Sequence, residues 1–375
     1  MRKPKLAFLT NLVAPSKVSL FAHLASHFDL RILHGALEPN RTSWKERNVE
    51  GVQVRRVAGW QFSLPKRYKG EEFDRWFLHI EPGYFLELLR DRPDAVVTGE
   101  MGFRTLMALT YGTLFRKPVW IFWGGTLHTE RNVSGLRTMA RRMVARWAKR
   151  WISYGQTSTE YLRSLDIPNG RILQIQNTVD ESWFGPAVEP CLELQPKPVL
   201  LHVGQMIGRK GIPEFLRAAA HLKREGLKFS IALVGSGPDR ERVQQLTNDL
   251  HLRDVQFYPA QSPENMPSFY RSADVLIFPT MEDVWGLVAN EAVLSGLPVL
   301  CSRYAGCAPE LFDRDSIFDP ADQQDFIEAL RRAVSGCLPR PNPSRLRRTQ
   351  EVSKMLIDAL LASLPGVSVS GPDPS

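Results

Sequence analysis

Short apolar runs recur along the chain, with longer stretches of helical period between them. In the first half they read LAFLT (6–10), DAVVT (94–98), VWIFW (119–123) and ILQIQ (172–176). In the second half they read VLLHVG (199–204), FSIALVG (229–235), VQFYP (255–259), DVLIFPT (274–280) and LPVLCS (297–302). Their length and their content of Val, Ile, Leu and Phe suit strands covered on both faces, as in parallel sheets. Strands that alternate with helices in this way are βαβ units, so the expected class is α/β with Rossmann-like domains. Residues 186–198 hold Pro186, Pro190, Pro196 and Pro198 and no clear period, and so read as a linker. This divides the chain into an N-terminal domain (1–185), a C-terminal domain (199–338) and a C-terminal extension (339–375). The extension holds a helix near 350–364 and a tail, PGVSVSGPDPS, that reads as disordered. The two domains are expected to face each other across a cleft, with ligands beyond the carboxyl ends of the strands.

Composition narrows the class. With 43% hydrophobic and 23% charged residues, the 375-residue chain is that of a globular protein large enough for two domains. No apolar run is long enough to span a bilayer, and the opening MRKPKLAFLTNLVAP is too short and too polar at its flanks for a secretory leader. The expected location is therefore cytoplasmic. Cys191, Cys301, Cys307 and Cys337 show no metal-type spacing with His, and Cys301 and Cys307 read as small buried thiols rather than a disulfide.

Charge is distributed unevenly. Residues 1–187 carry 28 Lys and Arg against 17 Asp and Glu, an excess of 11, whereas the remainder carries 20 against 23. The first half therefore suits an anionic partner. Within it, no acid falls between Glu130 and Glu160, while Arg131, Arg137, Arg141, Arg142, Arg146, Lys149 and Arg150 are all cationic. On a helical wheel over 131–151, Leu136, Met139, Met143, Val144, Trp147 and Trp151 fall to one side. The pattern predicts a helix with its apolar face packed on the sheet and its basic face outward, poised for the cytoplasmic leaflet of an anionic membrane. Nucleic acid is not expected, because aromatic stacking positions and a recognition motif are lacking.

The candidate chemistry lies in the second half. HVGQMIGRKGIPEFLRAA (202–219) runs from a strand through a loop with Gly204, Gly208 and Gly211 into a helix. Such a loop lets backbone approach an anion, and Arg209 and Lys210 add positive charge there, though a plain turn accounts for the same residues. It is not a P-loop, since Gly-Lys is not followed by Ser or Thr. LVGSGPDRERV (233–243) has a second Gly-x-Gly, but Arg240 stands where a dinucleotide fingerprint needs its third glycine. MEDVWGLVANEA (281–292) places Asp283 and Glu291 eight residues apart around Gly286 and Leu287, whose N–H groups would open a helix toward an anion. Carboxylates accept hydrogen bonds only, which suits the paired hydroxyls of a ribose or hexose. Capping explains one acid at a helix start but not Glu291 inside an otherwise apolar helix.

The Asp283-x7-Glu291 spacing resembles the Glu-x7-Glu motif of retaining GT-B glycosyltransferases, family 4 above all. GLPVLCSRYAG, VGQMIGRKG, VGSGP and RSADVLIFPT are similar to further segments of that family, and FLTNLVAPSKVSLFAHLA and WGGTLHTERN to its first domain. The resemblance runs over about residues 6–335. It implies a GT-B fold and transfer of a sugar from a UDP- or GDP-sugar to a sugar or lipid-linked acceptor, with retention, in polysaccharide or glycolipid assembly. By the same resemblance Lys210 and Arg209 bind the diphosphate, Glu291 the ribose and Asp283 the donor sugar. Gly204, Gln205, Gly286 and Leu287 line the nucleotide-sugar, and His128 contacts the reacting sugar. No metal or other cofactor is expected. The chain departs from the family at Gln205, where an Arg is usual, and at Ser16-Lys17, where Tyr-Arg is usual. A sugar-nucleotide 2-epimerase on the same fold and a non-catalytic sugar-nucleotide-binding subunit are the alternatives.

Overall fold

Every apolar run named above becomes a strand of a parallel sheet. The computed structural model describes residues 2–35, 49, 51–68, 71–184 and 188–365. Of these, the residues within Met1–Ser63, Phe77–Thr178 and Arg347–Ser375 form one compact unit, and those within Leu64–Trp76 and Val179–Leu346 form another. The boundary thus falls at 178/179 rather than 185, and the last helix belongs to the first unit rather than to a separate extension. The tail beyond 365 lies outside the described residues.

The first unit runs β1 (Lys5–Thr10), α1 (Val18–His27), β2 (Asp29–His34), β3 (Gln53–Arg56), the ends of β4 (Trp60–Tyr68) and β5 (Glu71–Ile80) that lie outside Leu64–Trp76, α2 (Gly83–Asp91), β6 (Ala95–Gly99), α3 (Phe103–Phe115), β7 (Val119–Trp123), α4 (Gly135–Trp147), β8 (Arg150–Tyr154), α5 (Gly155–Ser164) and β9 (Ile172–Ile175). Its sheet has the order β3-β2-β1-β6-β7-β8-β9, with parallel pairing throughout. β4 and β5 pair separately. No apolar run marks the strands at 53–56, 60–68 and 71–80 in the sequence. One face of the sheet packs against a core that includes Leu20, Phe21, Leu24, Leu356, Ile357 and Leu360. The last three lie on the final helix, whose apolar side is thereby covered.

The second unit runs β10 (Val199–Val203), α6 (Ile212–Arg224), β11 (Ser230–Val234), α7 (Arg240–Asp249), β12 (Val255–Tyr258), α8 (Met266–Ser272), β13 (Val275–Phe278), α9 (Leu287–Leu294), β14 (Val299–Ser302), α10 (Ala308–Leu311), β15 (Ile317–Phe318) and α11 (Gln323–Val334), with α12 (Thr349–Ala362) closing the first unit. Its strand order is β12-β11-β10-β13-β14-β15, again parallel. β11 is buried at every position, which is why it reads as a continuous apolar run rather than an alternating one. Phe215, Phe318 and Phe326 stack in the core under α6 and α11, with ring centroids 4.3 and 6.3 Å apart. Each such fully buried side chain contributes about 1.5–3 kcal/mol. The order reverses between β10 and β13, so the crevice at their carboxyl ends is where an open α/β sheet binds ligands.

Candidate functional site

The loops after β10 and β13 meet at that reversal. Residues 208–210 form a single tight turn, and Gly211 ends it at φ 69°. A Cβ at Gly211 would lie 1.9 Å from the Pro279 carbonyl oxygen, so only glycine lets the two loops touch. Two hydrogen bonds close the contact: Met281 N–H and the Thr280 hydroxyl both donate to the Arg209 carbonyl, at 2.8 and 3.1 Å. Gly204 N–H and Met206 N–H donate to the carbonyls of Val234, the last residue of β11, and Ser236 on the loop after it, which fixes the other flank of the turn. At the start of α9, Gly286 has φ 101°, and a Cβ there would meet the Phe278 ring at 2.4 Å. Asp283 bridges to Ala305, and Gly306 N–H donates to its carbonyl at 3.0 Å, so a third loop supports it. Asp283 is thus five residues beyond the end of β13 at Phe278, held by backbone pairing of its own.

This scaffold brings three of the sequence-predicted groups together. Lys210 Nζ lies 2.6 Å from Asp283 Oδ2, with both side chains about 13–14% exposed. Burial alone would raise the Asp283 carboxyl. The Lys210 ammonium, the nearby Arg209 guanidinium and the Trp285 N–H outweigh it and hold the carboxyl below its ordinary value. Arg209 donates to the Glu282 carbonyl at 3.2 Å, which aims its cationic head along the same edge. Glu282 itself is buried, and its carbonyl also receives the Thr280 hydroxyl. Asp283 thus carries an ion pair with Lys210, while the Glu282 carbonyl helps to hold the loop.

Glu291 sits one and a half turns into α9, and the Tyr270 hydroxyl donates to its Oε2 at 2.5 Å. Burial pushes its carboxyl up to about 7, with the tyrosine hydrogen bond pulling the other way. Trp285, fully buried, donates to Asn290 Oδ1 at 2.9 Å and locks the first turn of α9. Leu287 is the first residue of that turn, two residues after the Trp285 N–H that donates to Asp283 Oδ1. Lys210, Arg209 and Asp283 therefore share one rim, and Glu291, whose pKa shift is opposite to that of Asp283, lies on the helix that follows it. Such a rim can hold a phosphate and hydroxyls at once.

Residues 191–349 match the family described as Glycosyl transferases group 1. Lipopolysaccharide glucosyltransferase WaaG of Escherichia coli (strain K12) is 32% identical over 142 residues, 36% of this chain and 37% of that protein. A D-inositol 3-phosphate glycosyltransferase of Corynebacterium urealyticum is 29% identical over 233 residues, 55% of this chain and 54% of that protein. The chain thus spans about half or less of the length of these curated relatives. Among solved structures, Anabaena Alr3699/HepE in complex with UDP-glucose superposes with a TM-score of 0.69 at 16% identity, covering 96% of this chain and 100% of that one. Sucrose-phosphate synthase from Thermosynechococcus elongatus gives 0.67 at 18% identity, covering 96% and 95%. The fold is therefore that of the GT-B glycosyltransferases.

Within the group 1 segment, Gln205 is half-buried on the loop after β10, its carbonyl accepting from Ile207 N–H at 3.1 Å. Gly204 precedes it, joined to β11 as described. Cys301 and Cys307 are buried free thiols, and no disulfide links them. Tyr270 was not singled out from the sequence, although it directly precedes the RSADVLIFPT run. A tyrosine on a short apolar helix looks like core, and only the fold shows its hydroxyl reaching Glu291. A cavity of about 720 Å³ opens beside the same loop on the α6–α7–α11 face, touching Ile207, Gly208 and Met281. Lys210, Asp283 and Glu291 do not line it, so chemistry and not volume marks the site.

His128 lies in the first unit, on the loop after β7, and its carbonyl accepts hydrogen bonds from Arg131. That loop is pinned from α4: Arg141 pairs with Glu130 at 2.5 Å and donates to the Tyr161 hydroxyl at 2.8 Å. Lys17, where the first loop departs from the family, donates to Asn177 Oδ1 at 2.9 Å and rests over the Tyr154 ring. Among the described residues, no cluster of three or more His, Cys, Asp or Glu side chains is placed to hold a metal, and no helix is long and apolar enough to cross a membrane.

The helix predicted over 131–151 is corrected in two ways. α4 covers only Gly135–Trp147, and Trp151 belongs to β8, where it is fully buried. The apolar side of α4 does not pack on the sheet. Leu136, Met139, Met143 and Trp147 face outward, and of the six apolar residues on the wheel only Val144 and Trp151 are buried.

Proposed function

We propose that the protein is a retaining hexosyltransferase that moves a sugar from a UDP- or GDP-sugar to a sugar or lipid-linked acceptor. The observation that carries this reading is the meeting of Lys210, Arg209 and Asp283 at the β10/β13 reversal, inside the group 1 segment, with Glu291 on the helix that follows. Breaking the anomeric bond puts negative charge on the diphosphate. Lys210, held beside Asp283, stabilises that charge as it develops, together with Arg209 and the Leu287 N–H. Asp283, kept ionised by Lys210, accepts from donor-sugar hydroxyls. Glu291, steadied by Tyr270, takes the ribose. Positive charge on the sugar ring is met by attack from the face the leaving group vacates, with no protein nucleophile. His128 keeps the role the resemblance gives it, contact with the reacting sugar. The charge on the leaving group is balanced by side chains and N–H groups, so the reaction runs without a metal and survives chelation.

The names of the relatives point the same way. One is a GDP-mannose-dependent phosphatidylinositol monomannoside mannosyltransferase, another a lipopolysaccharide glucosyltransferase and a third a sulfoquinovosyl transferase. Cell-surface polysaccharide or glycolipid assembly at the cytoplasmic face of a membrane fits the basic excess of the first half.

Incubation with a panel of UDP- and GDP-sugars, followed by release of nucleotide with and without added acceptor, tests the reading. Transfer should occur with one donor, Asp283→Asn should lose it while keeping nucleotide affinity, and Glu291→Gln should lose both. Interconversion of the donor sugar without an acceptor would instead make the protein an epimerase, and binding without turnover would make it a partner subunit. If Glu282→Gln proves the damaging change, the roles given to Asp283 and Glu282 are exchanged.

A further inference from the structure

α4 is amphipathic in the opposite sense to a helix laid on its own sheet. Its inner side holds Val144, Ala145 and the paired Arg141. Its outer side presents Leu136 at 74% exposure, Met139 at 56%, Met143 at 63% and Trp147 at 41%. Their spacing (three, four and four residues) sets them in one stripe along the helix. Exposed Arg142 and Arg146 line one edge of the stripe and exposed Arg137 the other. The stripe continues onto the end of α3, where Leu114 and Phe115 are exposed and Thr113 accepts a hydrogen bond from Trp147 Nε1 at 3.0 Å. Arg116 and Lys117 follow directly. All of these residues lie within the first unit. A contiguous apolar ridge of this kind calls for a partner.

Charge selects the partner. From residue 131 to 159 the chain has no acid, so the part of the rim that α4 supplies is cationic, while Lys117 at the end of α3 is paired with Asp94. A second copy docking on it would bring two cationic rims together, which is unfavourable. A nucleic acid would satisfy the rim but leave Leu136, Met139 and Met143 in water. An anionic bilayer satisfies both: phosphates and carboxylates of the headgroups meet the arginines while the apolar crest enters the acyl boundary, with Trp147 at the level where an amphipathic ring is favoured.

We infer that α4, with the end of α3, is an insertion surface that seats the first unit in an anionic leaflet by its apolar crest as well as by charge. This rests on the peripheral placement proposed above and adds its mode, since a purely basic face would bind by charge alone. The inner side of α4 pins the loop that carries His128 through the Arg141–Glu130 pair, so the seated helix and that candidate acceptor loop form one piece.

Flotation with phosphatidylcholine vesicles, with and without phosphatidylserine, at low and high salt, tests the inference. The protein should float with anionic vesicles, and part of that binding should survive high salt. Leu136→Ser/Met139→Ser/Met143→Ser should lose the salt-resistant part, weakening binding by roughly tenfold or more, because each buried CH₂ adds to interfacial affinity. These side chains are exposed, so the variant should fold, and Met143→Asp gives an independent check in a single substitution. Arg137→Gln/Arg142→Gln/Arg146→Gln should lose the preference for phosphatidylserine. Binding by the serine variant equal to wild type at both salts overturns insertion and leaves a charge-only surface. No flotation by wild type overturns the surface altogether, as does a concentration-dependent dimer in sedimentation that the serine variant abolishes. Nucleotide affinity measured on the same samples separates these outcomes from a failure of the transferase reading, which would remove nucleotide binding and leave flotation intact.

Discussion

Residues 280–291 and 131–150 both concentrate charge beside apolar side chains, and the fold treats them in opposite ways. In the second unit, Asp283 meets Lys210 at 2.6 Å, Glu291 meets Tyr270 at 2.5 Å, and the apolar partner Trp285 is fully buried between them. In the first unit, the cations of α4 ring a crest of exposed Leu and Met, and the helix keeps only Arg141 turned inward. Internal pairing makes the first region a preorganised polar site. Outward apolar exposure makes the second a surface for something outside the chain. The same ingredients, arginine or lysine beside large hydrophobics, therefore carry different functions according to which of them the backbone turns toward the core.

Glycines give the sharpest way to break this comparison. Gly211→Ala forces a Cβ against the Pro279 carbonyl at a left-handed φ, so it should destabilise the second unit by about 3 kcal/mol or more, read from denaturant midpoints. Gly135→Ala at the start of α4 meets no atom within 4 Å and should leave stability unchanged or slightly raised, since alanine favours a helix. Equal costs at the two positions would mean that the loops of the site are no more constrained than a surface helix.

Glu291 gives the next largest effect, through pH. Its folded-state pKa of about 7 lies above the ordinary carboxyl value. The folded state therefore holds the proton more tightly, its contribution to stability is complete below the ordinary value, and it is lost as pH rises toward 7. Glu291→Gln removes the titration while keeping an oxygen for the Tyr270 hydroxyl. The variant should match wild type near pH 4 and exceed it near pH 8 by up to about 3 kcal/mol, less where water reaches the half-buried carboxylate. Thermal melts across that range check it, and a constant difference between the two proteins would deny the buried-acid account.

Two neighbouring arginines sharpen the contrast within α4 itself. Arg141→Gln leaves Glu130 without its ion pair and should cost about 2 kcal/mol, because that pair is largely shielded from water. Arg142→Gln, on the exposed side, should change stability by no more than about 0.5 kcal/mol. Urea denaturation of both variants decides whether inner and outer cations differ as the structure has them.

Periodicity made the sheets legible, because a strand buried on both faces leaves an unbroken apolar run that nothing else in a globular chain explains. It failed where burial is one-sided. β2 (Asp29–His34) alternates Asp and Arg with leucines, and β8 (Arg150–Tyr154) begins with Arg150, so both were passed over and Trp151 was assigned to a helix. The wheel over 131–151 identified the apolar side correctly but had no means to say which side the sheet covers, since a helix can be held by two small contacts such as Val144 and Ala145. At the site, residue types and spacing pointed to Lys210, Asp283 and Glu291. Their partners were hidden because Tyr270 lies 21 residues from Glu291 and Thr280 is 71 from Arg209.

Calorimetric titration of UDP and GDP into wild type, Lys210→Ala and Lys210→Ala/Asp283→Asn tests the central claim, that the loops after β10 and β13 hold a nucleotide diphosphate. The double variant matters because Lys210→Ala alone leaves the Asp283 carboxylate facing the phosphates. Wild type should bind one of the two nucleotides at a single site, and both variants should weaken it by about 1.5–3 kcal/mol, the range for a charge-assisted hydrogen bond. Unchanged affinity in the folded double variant, or no binding of either nucleotide by wild type, would contradict the claim.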